Sequence, residues 1–161
     1  MDDIKDIQNV EVASEGKQYI VVRLGSEQYG IDIQYIDNIV RMSKITRIPG
    51  SQKFFKGIIN LRGEIIPVMS LRLKFNLEPD EYMNSTRIII IKLEAQSAIG
   101  IIVDEVKEVV TLDENSIEKT SAASSNDIDI QYLSGVGKHA DGLITLLNIA
   151  SVIIEKENDR A

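Results

Sequence analysis

Few side chains in this sequence have both the type and the spacing for chemistry. His139 is the single histidine, and there is no cysteine to join it at a zinc site. It reads as an ordinary exposed residue of a glycine-rich loop. It ends the run Gly135-Val136-Gly137-Lys138-His139, which has some features of a phosphate loop. The first glycine of such a loop is missing, because that position is Tyr132, and His139 stands where a magnesium-binding serine or threonine belongs. Asp104, Glu105 and Glu108 have the chemistry for acid–base work, but no cation or nucleophile accompanies them, so a solvated acidic face is the simpler reading. A small acidic hydrolase would need reactive groups clustered in one pocket, and the sequence offers none. No catalytic residue, metal or cofactor is expected. What remains is Arg62, one long cation at the tip of a tight turn beside an apolar surface. Such a group is either a solvated turn residue, the commoner case, or one that recognises a partner.

The element that must position Arg62 runs from Gly57 to Phe75, GIINLRGEIIPVMSLRLKF. Two apolar strands flank Asn60-Leu61-Arg62-Gly63, and a short basic helix follows. Gly63 supplies the positive φ that a hairpin turn requires. Pro67 cannot donate to a strand ladder, which places the second strand at a sheet edge or a bulge.

The rest of the composition narrows the function classes. The chain has 161 residues, 43% of them hydrophobic, enough for one domain with a real core. Isoleucine is abundant and aromatics are few, which favours β structure. The net charge of −7 argues against nucleic acid or an anionic membrane as the main partner. The acidic stretch MDDIKDIQNVE is not a signal peptide, and the runs Ile88 to Ile91 and Ala98 to Val103 are too short to span a bilayer. The absence of cysteine suits the cytoplasm.

Along the chain, residues 1–15 read as a weakly structured tail. Strands are expected at Lys17 to Leu24 and from Gln28 to Ile33. Gln34 to Val40 suits one helical turn, with a strand beginning near Ile39 as the alternative. Ser51 to Lys56 brings Phe54 and Phe55 inward. Strands recur at Arg87 to Leu93, through Ala98 to Val110, and at Leu143 to Leu147. Leu112 to Asp129 reads as a polar, serine-rich loop, Tyr132 to Gly142 has no clear period, and Ile149 to Lys156 reads as a closing helix.

The second series copies the first. YIVVRL from Tyr19 matches IIIIKL from Ile88 at an offset of 69, and YGIDIQYIDNIV from Tyr29 matches IGIIVDEVKEVV from Ile99 at an offset of 70. FFKGIINLRGEIIPVMSL from Phe54 lies on YLSGVGKHADGLITLLNI from Tyr132 at an offset of 78, which pairs Gly57 with Gly135 and Arg62 with Ala140. Two similar β units of about five short strands follow, each too small to stand alone, with a binding groove between them. The first unit is expected at about 16–83 and the second at about 84–155, with some strand exchange, and 156–161 as a tail.

The run GIINLRGEIIPVMSLRLKF, with YGIDIQYIDNIV before it and IGIIVDEVKEVV after it, closely resembles the CheW family of bacterial chemotaxis adaptors. The resemblance covers roughly Gly16 to Glu155. It implies a mostly β fold of two small five-stranded Src-homology-3-like barrels packed together, with short helices and a C-terminal helix. It implies a non-catalytic scaffold joining the cytoplasmic tip of transmembrane chemoreceptors to the histidine kinase CheA. That scaffold would be cytoplasmic and recruited to receptor arrays at the inner face of the membrane, without inserting into it. An adaptor of a parallel motility or developmental pathway is the alternative, and it differs only in its partners.

Carried over by the resemblance, the receptor helix lies in the groove and meets Ile36, Asn38, Gly57 and Arg62. Asn38 stands where the family often has glutamate, so Arg62 loses a charge-assisted partner there and is expected to be set differently or held by an acid such as Asp37. The kinase's regulatory domain is expected mainly on the second unit, where no motif marks the contact residues. Without the resemblance, Ile36 would read as core and Gly57 as a backbone requirement.

Overall fold

A computed structural model describes residues 16–93, 97–119, 129–140 and 142–154. The expected tails, and residues 120–128 of the serine-rich loop, lie outside the described residues. The fold is mostly β. The strands are β1 (Lys17–Leu24), β2 (Glu27–Asp32), β3 (Ile36–Arg41), β4 (Phe55–Leu61), β5 (Glu64–Ser70), β6 (Arg87–Ile91), β7 (Ile99–Val103), β8 (Glu105–Leu112), β9 (Ile117–Glu118), β10 (Leu133–His139) and β11 (Gly142–Leu147). Helix α1 (Leu71–Lys74) follows β5, and α2 (Ile149–Ile153) follows β11. The helical turn expected over Gln34 to Val40 is a 3-10 turn at Ile33–Tyr35 that leads straight into β3. Asp32 caps that turn by accepting the Gln34 N–H at 3.0 Å, and the β-branched residues after it are spent on the strand.

The strands form a six-stranded sheet, β8-β1-β2-β11-β10-β9, and a five-stranded sheet, β3-β6-β7-β5-β4. Each curls back on itself. Thr46, past the end of β3, bridges Ile58 in β4, and Gly137 in β10 lies against Leu112 in β8. The strands exchange between the halves of the sequence. β1 and β2 join the later strands β8 to β11, while β6 and β7 join β3 to β5.

The internal similarity reappears as matching register. Val21 pairs Gly30 across β1 and β2, and Ile90 pairs Gly100 across β6 and β7. The β1–β8 ladder slips between Val21 and Val22, and the β3–β6 ladder slips between Ile36 and Asn38. These slips leave Lys107 and Asp37, which the offset of 70 relates, as the extra residues of two equivalent bulges. The weakest match by sequence holds as well. β4 slips between Phe55 and Gly57, and β10 slips between Leu133 and Gly135. Ser70 caps α1 through the Leu73 N–H, and Asn148, its equivalent, caps α2 through the Ser151 N–H.

Three apolar clusters hold the molecule. Ile59, Ile66, Val68, Ile88, Ile90 and Ile102 fill the five-stranded sheet. Tyr19, Val21, Val110, Leu112, Ile144 and Leu146 fill the six-stranded one. The largest cluster lies between the sheets and takes Ile20, Val22 and Leu24 from β1, Ile89 and Ile91 from β6, and Phe75, Ile149 and Val152 from the helical ends. Alternate residues of β1 and β6 therefore face different cores. That is why these strands read as continuous apolar runs rather than as alternating ones.

Two expectations are corrected. Of the two settings expected for Pro67, the edge strand is excluded, since β5 lies between β4 and β7, while the β4–β5 ladder does slip beside it, between Phe55 and Gly57. Its missing N–H is tolerated because β7 pairs β5 only at Val68 to Ser70, past the proline. Tyr132 to Gly142, which showed no period, contains β10. Its glycines hide the strand pattern, yet packing requires them. A Cβ at Gly135 would stand 2.7 Å from the Glu118 carbonyl oxygen, and one at Gly137 would stand 2.6 Å from Leu112 Cδ1.

Candidate partner-binding site

The junction of the two sheets opens as an apolar cleft. Phe54 and Phe55 lead into β4, Met69 comes from β5, Ile99 opens β7, and Ile153 ends α2; together they line a cavity of about 460 Å3. Ile36 belongs to the same surface by register. It pairs with Ile91, and Ile91 pairs with Ile99, so the three stand in one row across β3, β6 and β7. Directly opposed residues share a face. Ile36 is half-buried against the central core, so it is both a packing residue and a surface one.

The other three residues singled out by the sequence have separate settings. Asn38 is half-buried, and its Oδ1 accepts the Ile39 N–H at 2.8 Å. Gly57 is buried, with φ of 141°, and a Cβ there would stand 2.1 Å from the Thr46 carbonyl oxygen. It is the point where the chain beyond β3 crosses β4, fixed by the paired hydrogen bonds Thr46 N–H to Ile58 O and Ile58 N–H to Thr46 O, both 2.9 Å. Arg62 is exposed at the tip of the β4–β5 hairpin, where Arg62 and Gly63 both take positive φ, 53° and 86°. Two positive φ values match a tight primed hairpin turn, in which asparagine rather than arginine is the usual first residue. Asn60 steadies the turn by accepting the Gly63 N–H at 3.0 Å. Among the described residues, no hydrogen bond or ion pair joins Arg62 to Asp37 or to Asn38.

Polar links that the sequence did not announce fasten the junction. Asp104, between β7 and β8, faces Arg72 of α1, whose Nε donates to Oδ1 at 2.8 Å and whose NH2 group also binds the carboxylate. The Gly25 N–H, in the β1–β2 turn, donates to the same carboxylate at 2.7 Å. Asp104 therefore ties one sheet to the other and is not part of a free acidic face. Burial alone would raise its carboxyl. The Arg72 and Gly25 hydrogen bonds, with the charges of Arg72 and Arg23, outweigh that and hold it below the usual carboxylate range. Glu105 beside it faces Arg23 at 3.6 Å. Lys74 is buried with Nζ 4.0 Å from the ring centre of Phe54 and 5.6 Å from that of Tyr132, the two aromatics related by the internal match. His139 is half-buried rather than exposed, and its Nδ1 has no hydrogen-bond partner among the described residues.

Among the described residues, no helix is long and apolar enough to cross a membrane. The cleft is apolar, and Arg62 stands exposed at the tip of the β4–β5 hairpin.

Comparison with known proteins gives the family and the fold. The CheW-like domain family matches residues 18–157. A chemotaxis protein CheW of Klebsiella aerogenes is 32% identical over 142 residues, covering 88% of this chain and 84% of that protein. The Bacillus subtilis chemotaxis protein CheW is 32% identical over 146 residues, covering 91% and 92%. A crystal structure of a scaffolding protein, TtCheW of Thermoanaerobacter tengcongensis, superposes with a TM-score of 0.78 at 36% identity over 88% of this chain and 90% of that one.

Proposed function

The chain belongs to the CheW family of chemotaxis coupling adaptors, and on that premise we propose how its surfaces divide the work. The receptor's helical tip lies in the cleft between the sheets, against Phe54, Ile99 and the Ile36 row, with Arg62 reaching from the hairpin tip. The observation that carries this is the apolar cleft itself, lined from β4, β5, β7 and α2 by mostly half-buried aliphatic and aromatic side chains. Gly57 acts indirectly. Being buried, it sets the path of the chain through Ile45 and Thr46 and so the approach to the cleft. The regulatory domain of CheA docks on the six-stranded sheet, where Val109, Ile130 and Leu143 are exposed apolar residues. No catalysis is involved. Holding receptor and kinase in one array lets receptor state change kinase activity, and the adaptor is cytoplasmic, held at the membrane's inner face by its partners.

The test is co-purification of the full chain from native membranes and cytosol. Recovery of chemoreceptors together with CheA is expected. Recovery of a different sensor and kinase pair would assign the chain to a parallel pathway, and recovery of no kinase would overturn the reading.

A further inference from the structure

From Asn38 to Gly63 the chain has no aspartate or glutamate, yet it carries Arg41, Lys44, Arg47, Lys53, Lys56 and Arg62. This is a basic island in a protein of net charge −7. The fold gathers three of these cations around one cavity. Lys44 and Arg47, between β3 and β4, and Lys56, in β4, line a cavity of about 610 Å3 with Met42, Ile45 and Tyr82. Lys44 and Arg47 are exposed and Lys56 is half-buried, and none of the three has a hydrogen bond or ion pair among the described residues. Met42 and Ile45 pack against the core of the five-stranded sheet and give the cavity an apolar floor, while Tyr82 stands half exposed at its side. The Asp80 carboxylate, whose charge acts on Lys56 and Tyr82, accepts the Ser70 hydroxyl at one oxygen.

We propose that this pocket docks an acidic peptide segment of a partner protein, with an apolar side chain on the floor and flanking carboxylates on Lys44, Arg47 and Lys56. Charge complementarity selects the carboxylates. The floor selects a peptide over a small anion, because inorganic phosphate would leave Met42, Ile45 and Tyr82 uncovered. A nucleic acid or an anionic membrane would bring a polyanion against the remainder of the chain, where acidic residues outnumber basic ones. The pocket shares no lining residue with the cleft between the sheets, so both can be filled at once.

Fluorescence anisotropy of the full chain with a dye-labelled synthetic peptide, Glu-Asp-Glu-Leu-Phe-Glu-Asp-Glu, tests the proposal. Saturable binding is expected, weakened about tenfold or more by the double variant Lys44→Glu/Arg47→Glu and by less than about twofold by Lys53→Glu, an exposed cation outside the pocket. Replacing Leu-Phe by Gly-Gly, or Tyr82 by alanine, should weaken binding several-fold. Tyr82→Ala leaves the charges intact and carries the test if the double variant loses its native melting curve. Equal loss with Lys53→Glu would mean a diffuse field and would overturn the site. So would equal binding of an all-glutamine peptide, a failure to saturate, or binding to phosphatidylglycerol vesicles in place of the peptide.

Discussion

The hairpins β4–β5 and β10–β11 share nearly every backbone feature. Each has a glycine at a bulge in its first strand, at Gly57 and Gly135, and each places its second strand beside a parallel neighbour, β7 for β5 and β2 for β11. Each runs into a capped helical turn, and each exposes an aliphatic residue after its tip, Ile65 and Leu143. They part company in backbone at the bulge, where Gly57 takes a positive φ of 141° and Gly135 does not, and in side chains beyond it. The tip holds Arg62 in one and Ala140 in the other. The following helical turn carries Arg72 and Lys74 in one, and Ala150 and Val152 at the equivalent positions of the other. Features held in common are those the fold demands twice. The β4–β5 turn holds Arg62 at a positive φ that asparagine fits better, so the backbone does not demand an arginine there.

The largest expected effect tests the shared part. Gly57→Ala should cost roughly 3 kcal/mol or more, because its Cβ meets rigid backbone at a positive φ. Gly135→Ala meets the Glu118 carbonyl at a longer distance, without the positive φ, and should cost roughly 1–3 kcal/mol. Denaturant melts of the two variants decide this, and a larger loss at Gly135 would show that the two bulges are not equivalent.

Ile36→Asp comes next. The half-buried site should lose about 1–2 kcal/mol of stability and at least about tenfold in affinity for a soluble receptor fragment, with CheA regulatory-domain affinity within about twofold. Val106→Asp, at the equivalent position of β8, should leave receptor affinity intact. Calorimetry with both partners would refute the assignment if the two variants weakened receptor binding alike.

The Arg72–Asp104 link has no counterpart in the other half, so it should also matter unequally. Arg72→Ala is expected to cost about 1–2 kcal/mol at neutral pH, while Ala150→Arg should change little. Because the folded Asp104 carboxyl lies below its unfolded value, its contribution is complete above the unfolded range near pH 4 and is lost as pH falls through the folded value. Asp104→Asn should therefore flatten the acid limb of a stability-against-pH curve below about pH 4. An unchanged acid limb would remove this carboxylate from the account.

Smallest in stability is Arg62→Asn. Asparagine suits the left-handed turn better, so the variant should gain at most about 1 kcal/mol while receptor affinity falls. A gain in stability without loss of binding would return Arg62 to an ordinary turn residue.

Much of this was legible before the structure. The β class, the hairpin at Arg62-Gly63 and the doubling of the chain follow from apolar runs, turn residues and self-similarity. Similarity between copies cannot say which copy's strands pair, because β1 and β6 carry the same pattern and either would fill the same place. Some exchange was expected, but which strands cross over is visible only in three dimensions. A second repeat was there to be read. Ile31 to Ile36 is IDIQYI and Ile128 to Leu133 is IDIQYL. In both, the aspartate accepts the N–H and the side-chain amide of the following glutamine to start a 3-10 turn. At the cleft, Phe54 and Phe55 were expected to turn inward, but Ile99 and Ile153 reach the same cavity only through the exchange. The Arg72–Asp104 pair escaped notice for a like reason, since nothing in the local sequence of either residue points to the other.

The interleaving of the strands also sets an order of assembly. The five-stranded sheet is complete within residues 36–103, whereas β1 and β2 find their partners only in β8 and β11. On a ribosome the inner barrel can close first, and β8 follows it directly to pair with β1, while β2 waits for β11, roughly forty residues later and several seconds at about 5–20 residues per second. During that interval the outer edge of β2 and much of the apolar surface of β1 and β2 stand open. The growing chain is thus most exposed to clumping at the open edge of β2, after the five-stranded sheet is already folded.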